Sequence, residues 1–201
     1  MEIIYYLSSL FLILFMVLAT YDGLYLHLWK YELFKKKESV FEHKTHTIRA
    51  ILFPLIVWLL FINKDDFSFY IGLSLVLIDL VVLAIDAYSE KDSRQFMGGL
   101  PKWEYIIHLF SNGFHFAATG LLLATRVNIT GNGLSLSIID NISKGQELLN
   151  FISVNIIPGA ILMALLHLFL IFPKGIKLWN KLKSLITTKR IKAGNRVDGS
   201  N

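Results

Sequence analysis

The chain contains no cysteine among its 201 residues. This absence excludes disulfide bonds and thiolate-ligated metal sites, so any metal ion must be held by histidine, aspartate, glutamate or main-chain oxygen. It also means that cysteine usage carries no information about the redox state of the compartment.

Charged side chains are scarce too, at 17% of residues, whereas hydrophobic residues make up 54% and the mean hydropathy is +0.54. So apolar a composition excludes an ordinary soluble domain and indicates an integral membrane protein, with the lipid bilayer as its main partner. The sequence shows no internal repeat, no low-complexity tract and no sign of a second globular domain, and we expect no nucleic-acid partner.

Five apolar runs approach or exceed the roughly 20 residues that cross a hydrocarbon core. They cover residues 3–29, 47–63, 68–89, 104–125 and 149–172. None alternates like a barrel strand, so the sequence predicts an all-α, integral membrane bundle of five transmembrane helices within residues 1–173. The first run lacks the basic segment of a signal peptide, so we expect it to be retained as the first span.

Lysine and arginine collect in the first and third connections and in the segment after the last run. By the positive-inside rule, this predicts an N-terminus outside and a C-terminus in the cytoplasm, in the inner (cytoplasmic) membrane of the cell. Residues 174–201 form a basic tail, in which one side of a helix carries Leu178, Leu182, Leu185 and Ile186. We expect this tail to be an amphipathic helix on an anionic leaflet, disordered at its end.

All six histidines fall in the half that this orientation assigns to the cytoplasm, as do the carboxylates Asp22, Glu42, Asp79, Asp86, Glu90 and Glu104. Residues three, four or seven positions apart share a helical face, so these side chains form polar stripes on the second, third and fourth helices. Because ionised groups in hydrocarbon are costly, a shared cation would satisfy several of them together. The candidate metal ligands are Glu42, His43, His46, Asp79, Asp86, Glu104, His108, His115 and His167.

Three further ionisable residues lie in the first two helices. Asp22 and His27 are separated by about 140° on an ideal α-helix, so the sequence predicts different neighbours for them. Arg49 is either a positive-inside anchor or a clamp for a phosphate or carboxylate headgroup, and we assign it to substrate binding.

Imidazole and carboxylate ligands without thiolate suit non-haem iron, manganese or zinc. Helical bundles build di-iron centres from Glu-x-x-His pairs; here Glu42/His46 and Glu104/His108 are one residue wider but still share a face. The surplus of ligands favours two ions. The resulting hypothesis is a metal-dependent membrane oxidoreductase of the oxygenase or hydroxylase type, which oxidises a lipid or other hydrophobic substrate and draws on an electron-donor protein.

Three alternatives stay open at the level of sequence. The same ligands with zinc would hydrolyse a lipid amide or ester. Several histidines in a five-helix bundle are also compatible with a haem b subunit of a quinone-linked oxidoreductase, although such a pocket has no need of the carboxylates. A stripe of Asp and His side chains is also compatible with a proton- or ion-conducting transporter subunit.

Overall fold

A computed structural model describes residues 2–131, 133–137 and 142–197. Within this part of the chain, five helices are long and apolar enough to cross a membrane, which confirms the predicted number of spans. They are α1 (Glu2–Lys30), α2 (Val40–Ile62), α3 (Asp66–Ser93), α4 (Lys102–Arg126) and α5 (Lys144–Phe169). The orientation of the termini and the choice of membrane stay predictions.

Two of the helices extend beyond the apolar runs at the end of the bundle where the ionisable residues lie. α2 begins at Val40 rather than at residue 47, and α3 ends at Ser93 rather than at residue 89. Hydropathy underestimates such helices, because their polar turns are buried against other helices instead of facing lipid. The extensions bring Glu42, His43 and Glu90 into regular helix, which fixes the directions of their side chains.

Two transmembrane helices widen into π-helix, in which each N–H bonds to the carbonyl five residues earlier. The last ten residues of α1, Tyr21–Lys30, and the last six of α2, Val57–Ile62, have this form. The second segment follows Pro54, where the sequence predicts a kink because proline offers no N–H to the helix. The first segment changes which side chains of α1 share a face.

A β-hairpin between α4 and α5 is a small addition to the predicted all-α fold. Strand β1 (Val127–Thr130) pairs antiparallel with β2 (Gly133–Leu136). The next helix, α5, begins with a capping box, in which the Ser143 side chain accepts from the Gln146 backbone N–H and the Gln146 side chain accepts from the Ser143 backbone N–H. These contacts satisfy donors that the first turn of a helix leaves free.

An apolar core occupies the end of the bundle formed by the starts of α1, α3 and α5 and the ends of α2 and α4. Its buried members include Leu12, Phe15, Ile56, Val57, Phe69, Ala118 and Leu122. α1 packs against α4 and α5, and α2 packs against α3 and α5. The Ser8 hydroxyl also joins α1 to α4 by donating to the Ala118 carbonyl at 2.9 Å. The buried histidines and carboxylates lie toward the opposite end of the bundle.

The basic tail forms α6 (Pro173–Val197), and the structure places its start against the connection between α1 and α2. Trp179 packs edge-on against Trp29 and Phe34. The Lys183 ammonium donates to the Trp29 carbonyl at 2.8 Å and lies 3.1 Å from Glu32. Burial works to raise the pKa of Glu32, but the ammonium groups of Lys35 and Lys183 outweigh it and lower that pKa.

The predicted apolar stripe of the tail, Leu178, Leu182, Leu185 and Ile186, is exposed. Its exposure agrees with a helix that rests on a surface outside the protein. The disorder predicted for the end of the tail concerns residues 198–201, which lie outside the described residues.

Candidate metal centre

Nine polar side chains meet at the end of the bundle where α1 and α3 end and α2 and α4 begin. This polar centre consists of Asp22, His27, Glu42, His46, Asp86, Glu90, Arg94, Glu104 and His108. All are buried except His46, whose side chain is only 14% exposed. Because four helices contribute to it, the polar centre exists only in the folded bundle.

Arg94 follows the last turn of α3 and is fully buried in the polar centre. Its guanidinium donates to Glu42 Oε2 at 2.5 Å, to Glu104 Oε1 at 2.6 Å and to Ser93 Oγ at 3.0 Å. Burial works to lower the pKa of Arg94, but the carboxylates of Glu42 and Glu104 outweigh burial and raise it. Arg94 is therefore a fixed positive charge that links α2 to α4.

Arg94 engages only one oxygen of each glutamate. Glu42 Oε1 and Glu104 Oε2 are buried, and neither has a hydrogen-bond partner within the described residues. Buried polar atoms in native proteins are usually satisfied by a donor, a water molecule or an ion, because leaving them unpaired is costly. Each glutamate thus offers a free oxygen while its other oxygen is held in place.

His27 presents its Nε2 atom to the same group of side chains. The Arg94 guanidinium lies 3.3 Å from Nε2, and because a guanidinium can only donate, Nε2 must be an acceptor. Asp22 Oδ1 lies 3.3 Å from Nε2, and Glu42 Oε1 and Glu104 Oε1 each lie 3.9 Å away. Of these two glutamate oxygens, Glu104 Oε1 is the one that Arg94 holds. In this arrangement the lone pair of Nε2 accepts from Arg94, so an ion bound at Nε2 would replace that contact, and the surrounding carboxylates would balance its charge.

The contact between Asp22 and His27 overturns the expectation that they serve different neighbours. That expectation assumed an α-helix, whereas both residues lie in the π-helical segment of α1. In a π-helix, residues five apart are joined across one turn, as residues four apart are in an α-helix. The wider turn therefore brings the two side chains onto one face.

His46 lies on the α2 side of the polar centre. Its Nε2 atom is 3.1 Å from Asp86 Oδ2 and 3.7 Å from Glu42 Oε1. Despite this closeness, Nε2 makes no hydrogen bond to any described residue. The Thr45 hydroxyl holds Asp86 by a short hydrogen bond to its other oxygen.

His108 lies between two carboxylates, one at each ring nitrogen. Nδ1 is 2.7 Å from Glu90 Oε1, and Nε2 is 3.1 Å from Asp22 Oδ1. A neutral imidazole donates from one nitrogen only, so this arrangement requires either a protonated ring or a cation beside Nε2. Metal-binding histidines typically donate their other N–H to a carboxylate, as His108 is placed to do toward Glu90.

The ligand atoms of six residues form two adjoining groups. Within each group, all ligand atoms lie within 4.8 Å of one another. The first group consists of Asp22, His27, Glu104 and His108, and the second of His27, Glu42 and His46. Each of α1, α2 and α4 contributes one carboxylate and one histidine. From α3, Asp86 approaches His46 and Glu90 approaches His108, so this helix supports the histidines of its neighbours.

The polar centre carries an excess of negative charge. Its five carboxylates belong to Asp22, Glu42, Asp86, Glu90 and Glu104, and its single permanent cation is Arg94. With neutral histidines the excess is four charges, and protonation of His46 and His108, which each lie beside a carboxylate, would reduce it to two. A buried excess of negative charge is unfavourable unless protons or cations compensate it.

Two predicted ligands, His43 and His167, lie beside the polar centre but outside both ligand groups. Their rings stack at 5.3 Å, and His43 Nε2 lies 3.2 Å from the His167 carbonyl. His167 approaches α1 closely, since a Cβ at Gly23 would lie 3.4 Å from His167 Nε2. Their contacts join α2, α5 and α1.

Asp79 and Arg49, a predicted ligand and the predicted substrate residue, pair with each other. Arg49 Nε donates to Asp79 Oδ1 at 3.0 Å, and Arg49 Nη2 donates to Asn112 Oδ1 at 2.8 Å. Neither residue belongs to a ligand group. The contacts link α2, α3 and α4, and Arg49 already has a counter-ion.

His115, also a predicted ligand, lies among aromatic rings instead of carboxylates. Its ring contacts those of Phe15, Phe53 and Phe116 at centroid distances of 4.9, 5.6 and 4.9 Å. Its Nε2 atom is buried without a hydrogen-bond partner in the described part of the chain. It lies outside both ligand groups.

Sequence reasoning did not assign four members of the polar centre to the site: Asp22, His27, Glu90 and Arg94. Asp22 and His27 were not assigned because the sequence gives no signal of the π-helical turn that brings them together. Glu90 and Arg94 had a usable signal, since with Asp86 they recur every four residues on one face of α3. Arg94 was counted only as a basic residue of a connection.

A cavity of about 350 Å³ opens onto the polar centre. Asp22, His46, Asp86, Glu90 and His108 line it, whereas His27, Glu42 and Glu104 do not. The rest of the lining is largely apolar and includes Phe15, Met16, Ala19, Phe53, Ala160, Met163 and Leu166. The polar centre therefore has one face toward a space that an apolar molecule fits.

Comparisons with protein-family models, with curated proteins and with solved structures gave no match for this chain.

Proposed function

We propose that the protein is a membrane-embedded, metal-dependent enzyme whose polar centre binds two iron ions and oxidises a lipid or another hydrophobic substrate. The observation that carries this proposal is the cluster of six ligand residues in two adjoining groups; His27 belongs to both groups and, with one lone pair, would serve one of the two ions. Their atoms include Glu42 Oε1 and His46 Nε2, which are buried, lie 3.7 Å from each other and make no hydrogen bond to any described residue, although Asp86 Oδ2 lies 3.1 Å from His46 Nε2.

The supporting contacts around these atoms resemble those of metal sites. Arg94 orients Glu42 and Glu104 through one oxygen each. Glu90 is placed to accept from His108 Nδ1, which would leave His108 Nε2 for an ion. Partners of this kind fix the orientation of metal ligands.

The balance of nitrogen and oxygen supports iron as the first choice. Three carboxylates and three imidazoles from facing helices come close to the ligand set of di-iron helical bundles, with one more histidine and one fewer carboxylate. Iron with such ligands supplies the oxidising power, while the protein supplies orientation and exclusion of water. Manganese suits the same mixture of ligands. An electron-donor protein belongs to this proposal, because an oxygenase reaction consumes reducing equivalents.

Zinc-dependent hydrolysis of a lipid amide or ester is the second candidate, favoured by the size of the ligand groups. Groups of three and four residues match the number of protein ligands at zinc sites. The haem alternative gains less support, because the rings of His27 and His46 touch directly, with centroids 4.2 Å apart. The alternative of a proton- or ion-conducting transporter subunit also gains little support, since the apolar core occupies the opposite end of the bundle.

Metal analysis of protein purified without chelators tests the proposal. The wild type should contain about two ions per chain, as dinuclear enzymes do, and His46→Ala should lose most of this metal. The matched control is His43→Ala, which removes a neighbouring buried histidine outside the ligand groups and should keep the metal. Less than about 0.3 ions per chain in the wild type, far below what a tight site retains, would reject the proposal.

A further inference from the structure

The cavity beside the polar centre reaches the outside of the bundle at one place. Four of its lining residues are exposed: Thr20 and Leu24 from α1, and Gly159 and Leu162 from α5. The cavity-lining residues of α2, α3 and α4 are all buried or half-buried. The opening therefore lies between α1 and α5.

This opening faces the hydrocarbon of the bilayer rather than water. Both helices are membrane spans, and the opening lies well inside each of them. The neighbouring exposed side chains, Tyr21, Tyr25, Ile161 and Leu165, are large and hydrophobic. A molecule that enters between these apolar side chains in a membrane span comes from the hydrocarbon of the bilayer.

The lining combines apolar and polar side chains. Apolar surface predominates and is contributed by Phe15, Met16, Ala19, Phe53 and Ala160. Besides the polar centre, the polar lining includes the Arg49–Asp79 ion pair, Asn112, His115 and His167. A mainly apolar lining with several fixed polar groups suits a hydrophobic ligand that carries a polar group.

We propose that the hydrocarbon chain of a membrane lipid enters the cavity sideways, between α1 and α5, and is held against the polar centre. This inference rests on the proposed function and specifies its substrate as a chain-bearing lipid. Gly159 lines the cavity, is exposed, and has open space beside it, since a Cβ at this position would meet no atom within 4 Å. A large side chain at residue 159 would project into the opening without disturbing the packing of α5.

Photolabelling in nanodiscs tests this route. The probe is a long-chain fatty acid with a diazirine near its methyl end, and adducts are mapped by mass spectrometry. In the wild type, adducts should form on Phe15 and Phe53, which are only 8% exposed and can be reached only from within the cavity. Gly159→Phe should abolish these adducts and leave the labelling of lipid-facing residues unchanged.

Gly120→Phe is the matched control, because Gly120 is exposed on α4 and a Cβ there also meets no atom within 4 Å. It should keep the adducts on the cavity wall. Leu24→Trp narrows the opening from the α1 side and should also abolish them, which covers the case in which Gly159→Phe does not fold. Adducts confined to lipid-facing residues, or adducts on Phe15 and Phe53 that both blocking variants retain, would overturn the inference.

Metal content measured on the same samples separates the two proposals. Bound metal without adducts on the cavity wall would reject the lipid route and leave the metal centre standing. Adducts that depend on an open Gly159 in protein without metal would support the lipid route and reject the proposed oxidative function.

Discussion

Two arginines inside this bundle hold carboxylates, and their surroundings differ. Arg49 faces one carboxylate, Asp79, together with the neutral amide of Asn112, so its charge is balanced. Arg94 faces Glu42 and Glu104, leaves one oxygen of each unpartnered, and lies within a surplus of negative charge. The first arrangement is complete as an ion pair that links helices. The second has unused ligand atoms, which is the property that a metal site requires.

Replacing each arginine should show the largest difference between the two arrangements, in the stability of the protein with and without metal. Arg94→Gln leaves two buried glutamates without a counter-ion, and breaking a buried pair in this way costs about 3–5 kcal/mol of stability in the metal-free protein. Added metal should recover much of this loss, because it neutralises the same carboxylates. Arg49→Gln should also destabilise the protein, but metal should not repair it.

The measurement is thermal unfolding of each variant with and without metal. The stabilisation on metal addition should be larger in Arg94→Gln than in the wild type, and unchanged in Arg49→Gln. Equal stabilisation of both variants would mean that the metal does not neutralise the partners of Arg94.

Loss of the shared histidine should have the next largest effect. His27→Ala removes the residue common to both ligand groups, so we expect metal affinity to fall by at least about 100-fold, the upper end for losses of merely supporting residues. His115→Ala is the control, since His115 is equally enclosed but lies among phenylalanines. Equilibrium dialysis against the native metal measures both. Equal losses in the two variants would contradict the assignment of His27.

Neutralising one carboxylate beside each arginine compares the two arrangements directly, and the expected loss of metal affinity is smaller than for His27→Ala. Glu42→Gln keeps the shape of the side chain but removes charge from a ligand, so affinity should fall by about 10–100-fold. Asp79→Asn makes the same change beside Arg49, where it should cost about 2 kcal/mol of stability, as for a hydrogen bond to a charged group, and leave metal affinity unchanged. If Asp79→Asn loses metal as Glu42→Gln does, the two arrangements are not distinct.

The smallest effect is expected from the carboxylate that orients His108. Glu90→Gln should lower metal affinity about tenfold, because the amide is a weaker partner for a metal-bound imidazole than the carboxylate is. Asp92→Asn serves as the control, because Asp92 lies on the exposed side of the same helix turn. Titration with competing chelators resolves a difference of this size. An unchanged affinity in Glu90→Gln would remove Glu90 from the support of the centre.

The sequence alone is enough to predict the five spans and four of the six residues in the two ligand groups. Helical periodicity identified Glu42 with His46 and Glu104 with His108, because these pairs lie in regular α-helix, where residues four apart share a face. It could not relate Asp22 to His27, since their common face exists only through the π-helical turn of α1. Periodicity also could not predict that Asp79 pairs with Arg49. A contact between two helices depends on how each helix is rotated about its axis and how deep it sits in the membrane, and the pattern within one helix determines neither.

Anomalous X-ray scattering at the absorption edge of the bound metal tests the central claim most directly. A peak should lie about 2.0–2.1 Å from His27 Nε2, a usual distance from a metal ion to a histidine nitrogen. A second peak should lie about 3.5–4 Å from the first, as in two-metal enzymes. Metal-loaded crystals with no anomalous density between His27, Glu42 and Glu104, or with their peak beside Asp79 or His115 instead, would contradict it.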